Sequence, residues 1–343
     1  RRRGRTVGAS TDAIFAVDLS TQKRAWTYRA KNIMHVTIAM SDQRMFFVES
    51  TISQEEREAL LRQDKSELRK LKGEAAKRKA EELKQLDVRR AVCLDRKSGE
   101  QVWSQPIDVT NVSGISAGGG NICLMYHDNL VVICGANANG HYWNQFLSGK
   151  FSQRRILVLN AADGKKRWSK DANYMNRPVI VEDQIIAEPW SFQIATGKER
   201  TRVHPITGEE SPWQFSRPGH HCGIITATPN MMLFRSGFIG YYDLYSDSGT
   251  RHFAGQRLGC WVNAIPGNGL VVIPEASAGC VCLFSITSTV VLEPREDRDP
   301  AWGIYSAAGP STPVKRLAVN LGAPGDRRDS LGTLWLSYPR PRT

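Results

Sequence analysis

The chain has 343 residues, 41% of them hydrophobic, which is room for two ordinary domains or one large all-β domain with a real core. Its 23% charged residues, 29 glycines and 16 prolines exclude collagen-like, mucin-like and low-complexity classes. The formal charge of +12 is scattered, +4 in the first five residues, +1 over 53–87 and +2 over 293–343, with no aromatic-interleaved basic stripe and no apolar run of about 18 residues, so neither a nucleic-acid partner nor a transmembrane segment is expected.

The opening, RRRGRTVGAS, is basic with no apolar stretch behind it and leads almost at once into a strand-like run, IFAV. A targeting segment is therefore expected outside this chain. DLSTQKRAW (Asp18 to Trp26) then sets an Asp eight residues before a Trp. HVTIAMSDQRMFFVES (35–50) is an apolar run, a short polar turn and a second apolar run, the pattern of two antiparallel strands.

A first insertion follows. TISQEEREALLRQDKSELRKLKGEAAKRKAEELKQLD (51–87) is almost wholly strong helix formers, with Glu and Lys at i, i+4 spacing and Leu61, Leu68 and Ala75 seven apart. One straight helix of about 35 residues would hold its ends about 50 Å apart, whereas the flanking strands must pair at about 4.8 Å. A helical hairpin turning near Gly73, or a shorter helix with an extended return, is expected, either as a coiled-coil grip on a protein partner or as a solvated arm whose seam is used by its own two halves.

DRKSGEQVW (Asp95 to Trp103) repeats the frame after AVCL, and NICLMYHDNLVVICG (121–135) repeats the strand pair. A second insertion, ANANGHYWNQFLSGKFSQR (136–154), carries Tyr142, Trp143, Phe146 and Phe151, an aromatic set that suits a ligand or carbohydrate surface or the covering of a blade edge. Both insertions fall between the second and third strands of a unit. NAADGKKRW (Asn160 to Trp168) is the third copy and RPVIVEDQIIAEPWS (177–191) the next strand pair. QIATGKERT (193–201) has Thr201 where Trp is expected. GIITATPNMMLFRSG (223–237) precedes DLYSDSGTRHF (243–253), which is two residues longer and ends in Phe253, and CWVNAIPGNGLVVIP (260–274) is the last strand pair.

Each frame is an apolar strand, a polar turn with Gly available for positive φ, and a returning strand whose aromatic packs inward. Two strands before the turn and one after make four, and a unit of short strands repeated with one aromatic per copy is the signature of a β-propeller. The fold class expected is all-β, a propeller of four-stranded blades over 12–293, about six visible, part of a seven- or eight-bladed ring, with an inserted helical hairpin.

The frame A-x-D-x-x-T-G-x-x-x-W resembles the repeat of pyrroloquinoline-quinone-like (PQQ-like) β-propellers, the quinoprotein alcohol dehydrogenase superfamily. The resemblance covers residues 12–293 and implies that Trp26, Trp103 and Trp168 dock between blades. The stretch from GHHCGIITATPNMMLFRSG to GCVC resembles a bacterial, mostly exported subgroup of unestablished function. Active members of the superfamily use the quinone, calcium and a pair of directly adjacent, disulfide-linked cysteines. Here the nearest arrangement is Cys280-Val281-Cys282, so the resemblance implies the fold and leaves PQQ and calcium as unassigned cofactors.

Of the seven cysteines, Cys93, Cys123 and Cys134 lie in apolar strand runs and read as small buried hydrophobes. Cys222, Cys260, Cys280 and Cys282 cluster late in the repeats and fit two structural disulfides, a metal site shared with His220 or His221, or plain thiols. Arg235, Trp261, Asn263 and Glu275 are the polar candidates for the channel. Residues 294–343 read as a charged linker and two strands, LAVNLG and GTLWLSY, that close the propeller or lead into a further domain.

The function expected is a non-catalytic binding or scaffold module of an exported multidomain bacterial protein, periplasmic, outer-membrane-associated or extracellular. The alternative is a quinone- or metal-dependent oxidoreductase with its site at the channel.

Overall fold

The structure, a computed structural model, describes residues 10–53, 56, 70–75, 77–78, 89–108, 122–135, 154–203, 208–217, 221–247, 249–253, 258–259, 262–275, 288–294, 304–306, 317–321 and 327–338. They form a β-propeller chain of small, almost wholly antiparallel sheets, divided into two compact units. No disulfide is present among them.

The first unit begins with the hairpin β1 (Ser10–Val17) and β2 (Arg24–Met34) around the first frame. The next blade is β3 (Ala39–Met40), β4 (Arg44–Ser50), β5 (Arg89–Asp95) and β6 (Gln101–Ile107), joined to β2 by the pairs Asn32–Ser50 and Ile33–Glu49. A further blade follows as β7 (Ile122–His127), β8 (Leu130–Gly135), β9 (Arg155–Asn160) and β10 (Lys166–Asp171). Its first turn, Asp128-Asn129, has both residues at positive φ, the two-residue turn whose twist matches the strands it joins.

These strands read as continuous apolar runs because both faces are covered. Phe46, Val48, Ala91 and Cys93 pack with Ile122, Leu124, Val131 and Ile133, while the alternate residues Met45, Phe47, Val92 and Leu94 pack with Ile14, Trp26 and Tyr28. The strand expected from His35 instead opens as a 3-10 turn, His35–Thr37. The Thr37 hydroxyl donates to the Met34 carbonyl at 2.6 Å and accepts the Val48 N–H at 2.9 Å, replacing ladder bonds with a buried side chain.

The expected helical hairpin lies mostly outside the described residues. Of its described positions, Glu56, Glu74, Ala75, Lys77 and Arg78 have helical backbone. Ser53 and Glu56 make the reciprocal bonds of a capping box, 2.7 and 3.1 Å, and Gly73 has φ +64°.

The second unit starts with β11 (Val179–Val181), β12 (Gln184–Ala187) and β13 (Trp190–Gln193). The fourth strand of this blade is broken. After Glu199, bridged to Phe192, the chain makes an excursion through the hairpin β14 (Thr201–Val203) and β15 (Glu210–Pro212) and then resumes, the Phe215 N–H donating to the Pro189 carbonyl at 2.9 Å. Next come β16 (Thr226–Ala227), β17 (Met231–Ser236), β18 (Phe238–Asp243) and β19 (Thr250–Phe253). β20 (Ile265–Gly267), β21 (Leu270–Ile273) and β22 (Val290–Leu292) make a three-stranded sheet. β23 (Ile304–Ser306) returns to the outer edge of β19, and β24 (Ala318–Leu321), β25 (Arg327–Arg328) and β26 (Leu334–Tyr338) form a sheet in which β24 runs parallel to β26.

The frame residues have definite jobs. The carboxylates of Asp18, Asp95 and Asp243 each accept the N–H groups two and three residues on, closing the turn with a side chain. In the first unit each Trp covers the turn glycine of the following copy. A Cβ at Gly99 would sit 2.5 Å from the Trp26 ring, one at Gly164 2.6 Å from Trp103, and one at Gly197 2.9 Å from Trp168. Trp26 also donates its indole N–H to the Arg96 carbonyl at 3.0 Å and Trp103 donates to Ala161 at 2.8 Å. In all three the glycine clears room for the ring, and for Trp26 and Trp103 the turn carbonyl holds its polar edge.

Candidate functional site

The connection from second to third strand is the richest corner of each blade. In the first unit it lies between the opposed residues Ser50 and Arg89, where 51–87 is inserted, and between Gly135 and Arg154, where the second insertion sits. Both arginines are buried to within 2% of full coverage, and the Arg154 guanidinium fills the space where a side chain on Gly135 would stand. Insertions of different chemistry therefore spring from the same end of consecutive blades, each rooted beside a buried cation. Tyr142 and Trp143 themselves lie outside the described residues.

In the second unit the equivalent corner is the tight turn Glu188-Pro189, with a cis peptide bond, and it holds a buried ion pair. Glu188 Oε2 accepts Arg217 Nη2 at 2.8 Å, Arg217 Nε at 3.0 Å and Asn176 Nδ2 at 2.9 Å, and Oε1 accepts the Arg217 backbone N–H at 3.0 Å. Burial alone would raise the carboxyl, but the Arg217 charge and hydrogen bonds, with smaller help from His221 and Asn176, outweigh it and hold Glu188 below the usual carboxylate range. A carboxylate that accepts four hydrogen bonds is saturated. Its chemistry is to fix backbone, and it ties residues 176, 188 and 217 together.

Arg217 reaches on to the Gly223 carbonyl at 3.3 Å, and Gly223 lies against Asn263, whose Oδ1 would be 2.4 Å from any Cβ placed there. Asn263 Nδ2 donates to the carbonyls of Ile224 at 2.5 Å and Cys222 at 3.5 Å. The loop carrying His221 and Cys222, both buried, is thus held from two sides. Of the sequence candidates, His221, Cys222 and Asn263 meet here. Arg235 is fully buried on β17 opposite Ile239, and Glu275 is exposed, its N–H donating to the Thr289 hydroxyl at 3.5 Å. Cys260, Cys280, Cys282, His220 and Trp261 lie outside the described residues. His221 and Cys222 are the described side chains with metal-ligand chemistry at this place; among the described residues no group of three or more His, Cys, Asp or Glu gathers.

Sequence reasoning missed Glu188, Arg217 and Asn176. Glu188 sits in A-E-P-W, and a Glu inside an otherwise apolar strand turn is a signal of a buried, paired charge. It also missed Trp213. Thr201 stands where a Trp is expected, yet Trp213 is fully buried after the β14–β15 excursion, its indole donating to Asp247 Oδ1 at 2.8 Å in the turn of the next copy. Thr207-Gly208 before Trp213 repeats the frame with one residue more between Gly and Trp, which was the available clue.

A family model described as outer membrane protein assembly factor BamB, of the PQQ-like class, matches residues 85–227. Residues 85–227 are PQQ-like β-propeller repeats. Among curated proteins, none matches this sequence. Solved structures similar to the chain include BamB from Moraxella catarrhalis, at 13% identity over 73% of this chain and 61% of that one with a TM-score of 0.37. The Pan2 WD40 domain of Neurospora crassa matches at 8% identity over 77% of this chain and 70% of that one, TM-score 0.39, and a europium-containing methanol dehydrogenase at 13% over 44% and 32%, TM-score 0.26. This chain spans 61% of the length of that BamB. Such distant likeness says nothing of activity. The PQQ-like repeats span the first insertion's return strand, the second insertion and the Glu188 corner.

Proposed function

We propose that this chain is a non-catalytic scaffold module that presents its two blade-corner insertions to a protein partner. The observation that carries the reading is the common root of the insertions: both leave between the second and third strands of neighbouring blades, beside the buried Arg89 and Arg154. A repeat-packed base that carries inserted segments on the connections between its strands is how a binding platform is built. The arm, 10 basic and 9 acidic residues over 53–87, suits a protein surface with mixed charge, and the composition of the second insertion is aromatic, as protein-contact surfaces are.

The setting belongs to the same reading. The family model's description as an outer membrane protein assembly factor supports an exported, envelope-associated bacterial protein, and the superfamily resemblance agrees with it.

Titration of the purified chain with PQQ and calcium separates this reading from the oxidoreductase alternative. The scaffold reading expects no saturable quinone binding and no redox spectrum. A stoichiometric quinone complex that oxidises an alcohol would overturn it.

A further inference from the structure

We propose that Cys123 and Cys134 are an oxidisable pair that closes a cross-strand disulfide between β7 and β8, locking the root of the second insertion. The two residues are directly opposed in the ladder, with their sulfurs 3.3 Å apart and neither side chain exposed. The register follows from the turn: Asp128 and Asn129 are the two central residues, and Cys123 and Cys134 lie five positions to either side of them. Opposed residues of an antiparallel pair have Cα atoms about 4.5–5.5 Å apart, inside the span of about 4.4–6.8 Å that disulfides bridge. Closing the bond to about 2.05 Å asks each sulfur to move by well under an ångström. Cys93, equally buried, is a contrast, because its ladder neighbours are Phe46 and Trp103 and no sulfur faces it there.

The reaction is thiol–disulfide exchange with an external low-molecular-weight disulfide. One Cys thiolate attacks a sulfur of the external disulfide and releases one thiol, leaving a mixed disulfide. The second thiolate then displaces the remaining external thiol. Two electrons and two protons pass to the oxidant, which leaves as two thiols, and one S–S bond forms in the chain. Because both sulfurs are covered in the blade, exchange takes place while β7 and β8 are still exposed during folding, and the finished bond is shielded from reductants.

The consequence is local and functional. Cys134 is two residues before the second insertion, 136–154, so the bond would pin the strand from which that insertion springs. It would also forbid a slip of the β7–β8 register, which would turn the apolar sets of both strands to the wrong face. The inference does not rest on the scaffold reading, since it holds for any function of the insertion.

Trypsin reads the pair cleanly. Residues 98–150 contain no Lys or Arg before Lys150 and hold only these two cysteines, so they are released as one peptide. The full chain is refolded with oxidised and reduced glutathione, quenched with iodoacetamide in denaturant and digested without reduction. The expected result is a 98–150 peptide lighter by two hydrogens and unalkylated, which gains two alkyl groups once reduced. A doubly alkylated peptide from the oxidised, folded chain, or one joined to another cysteine-containing peptide, would overturn the proposal. The variant Cys134→Ser should give a 98–150 peptide carrying one alkyl group after the same treatment.

Discussion

The indole of Trp213 and the carboxylate of Asp247, 34 residues apart, meet at 2.8 Å, and through them the fourth copy of the repeat keeps its link to the fifth despite the loss of Trp at position 201. The Tyr242 hydroxyl donates to the same Asp247 oxygen, Arg200 lies 5.0 Å from the Trp213 ring, Phe215 stacks on that ring and Tyr242 packs edge-on to it. Trp213→Phe, which keeps a ring and loses the donor, is expected to cost about 1–3 kcal/mol, and Trp213→Ala about 3–5 kcal/mol. Urea denaturation of the full chain measures both. Because Thr201 is exposed at the foot of the excursion, Thr201→Trp should not rescue Trp213→Ala.

Two glycines separate the backbone contribution to a turn from the contribution of the covering ring. Gly164 and Gly208 have φ of +70° and +75°, but a Cβ on Gly164 strikes Trp103 at 2.6 Å while one on Gly208 meets nothing within 4 Å. Gly208→Ala should cost about 1 kcal/mol from φ alone. Gly164→Ala carries that cost and overpacks the indole, for about 2–4 kcal/mol in all. Equal losses in a denaturant titration would count against the tryptophan-on-glycine link.

The Glu188–Arg217 pair makes stability depend on acid. Glu188 is held below its ordinary range in the folded chain, so its contribution is complete above the unfolded carboxylate value and is lost as pH falls through the lower folded value. Glu188→Gln should remove that acid-dependent part and cost about 3–5 kcal/mol near neutral pH, because it leaves Arg217 buried without its counter-charge. Adding Arg217→Met should recover part of the loss, and thermal melts from pH 3 to 7 on the three chains test both statements.

Burial pushes the Cys93 thiol up to about 11. At pH 8 the thiolate is then about a thousandth of the population, and the sulfur is also covered. Iodoacetamide should leave Cys93 unmodified in the folded chain and label it once urea is added; rapid labelling without urea would contradict its place in the core.

Much of this was legible because period-2 patterning and turn chemistry are local. D-N and N-G turns and the carboxylates of Asp18, Asp95 and Asp243 act within a few residues, so the strand pairs and copies could be marked on the sequence, whereas the glycines that clear room for Trp26, Trp103 and Trp168 belong to the following copy. What was hidden depends on distance in the chain. Trp213 replaces Thr201 only because a 12-residue excursion is spliced into one strand, and Glu188 finds Arg217 29 residues later. The 3-10 turn at His35–Thr37 was hidden for a different reason: a Thr hydroxyl that bonds backbone looks, in sequence, like any Thr in a strand. The Cys123–Cys134 facing is an intermediate case, since counting outward from Asp128-Asn129 gives the register, but reading each Cys singly as a small hydrophobe does not use it.

The central claim is that the blades are a base and the insertions are what binds. Ser50 and Arg89 are directly opposed, so residues 51–88 can be replaced by the two-residue turn Asn-Gly without changing the ladder. Intact and arm-excised chains, each first shown to melt at the same temperature within a few degrees, would be cross-linked side by side to a bacterial envelope extract and the partners identified. A defined partner cross-linked to 51–87 in the intact chain and lost on excision is the result this account predicts. The same partners captured equally by both chains would contradict it.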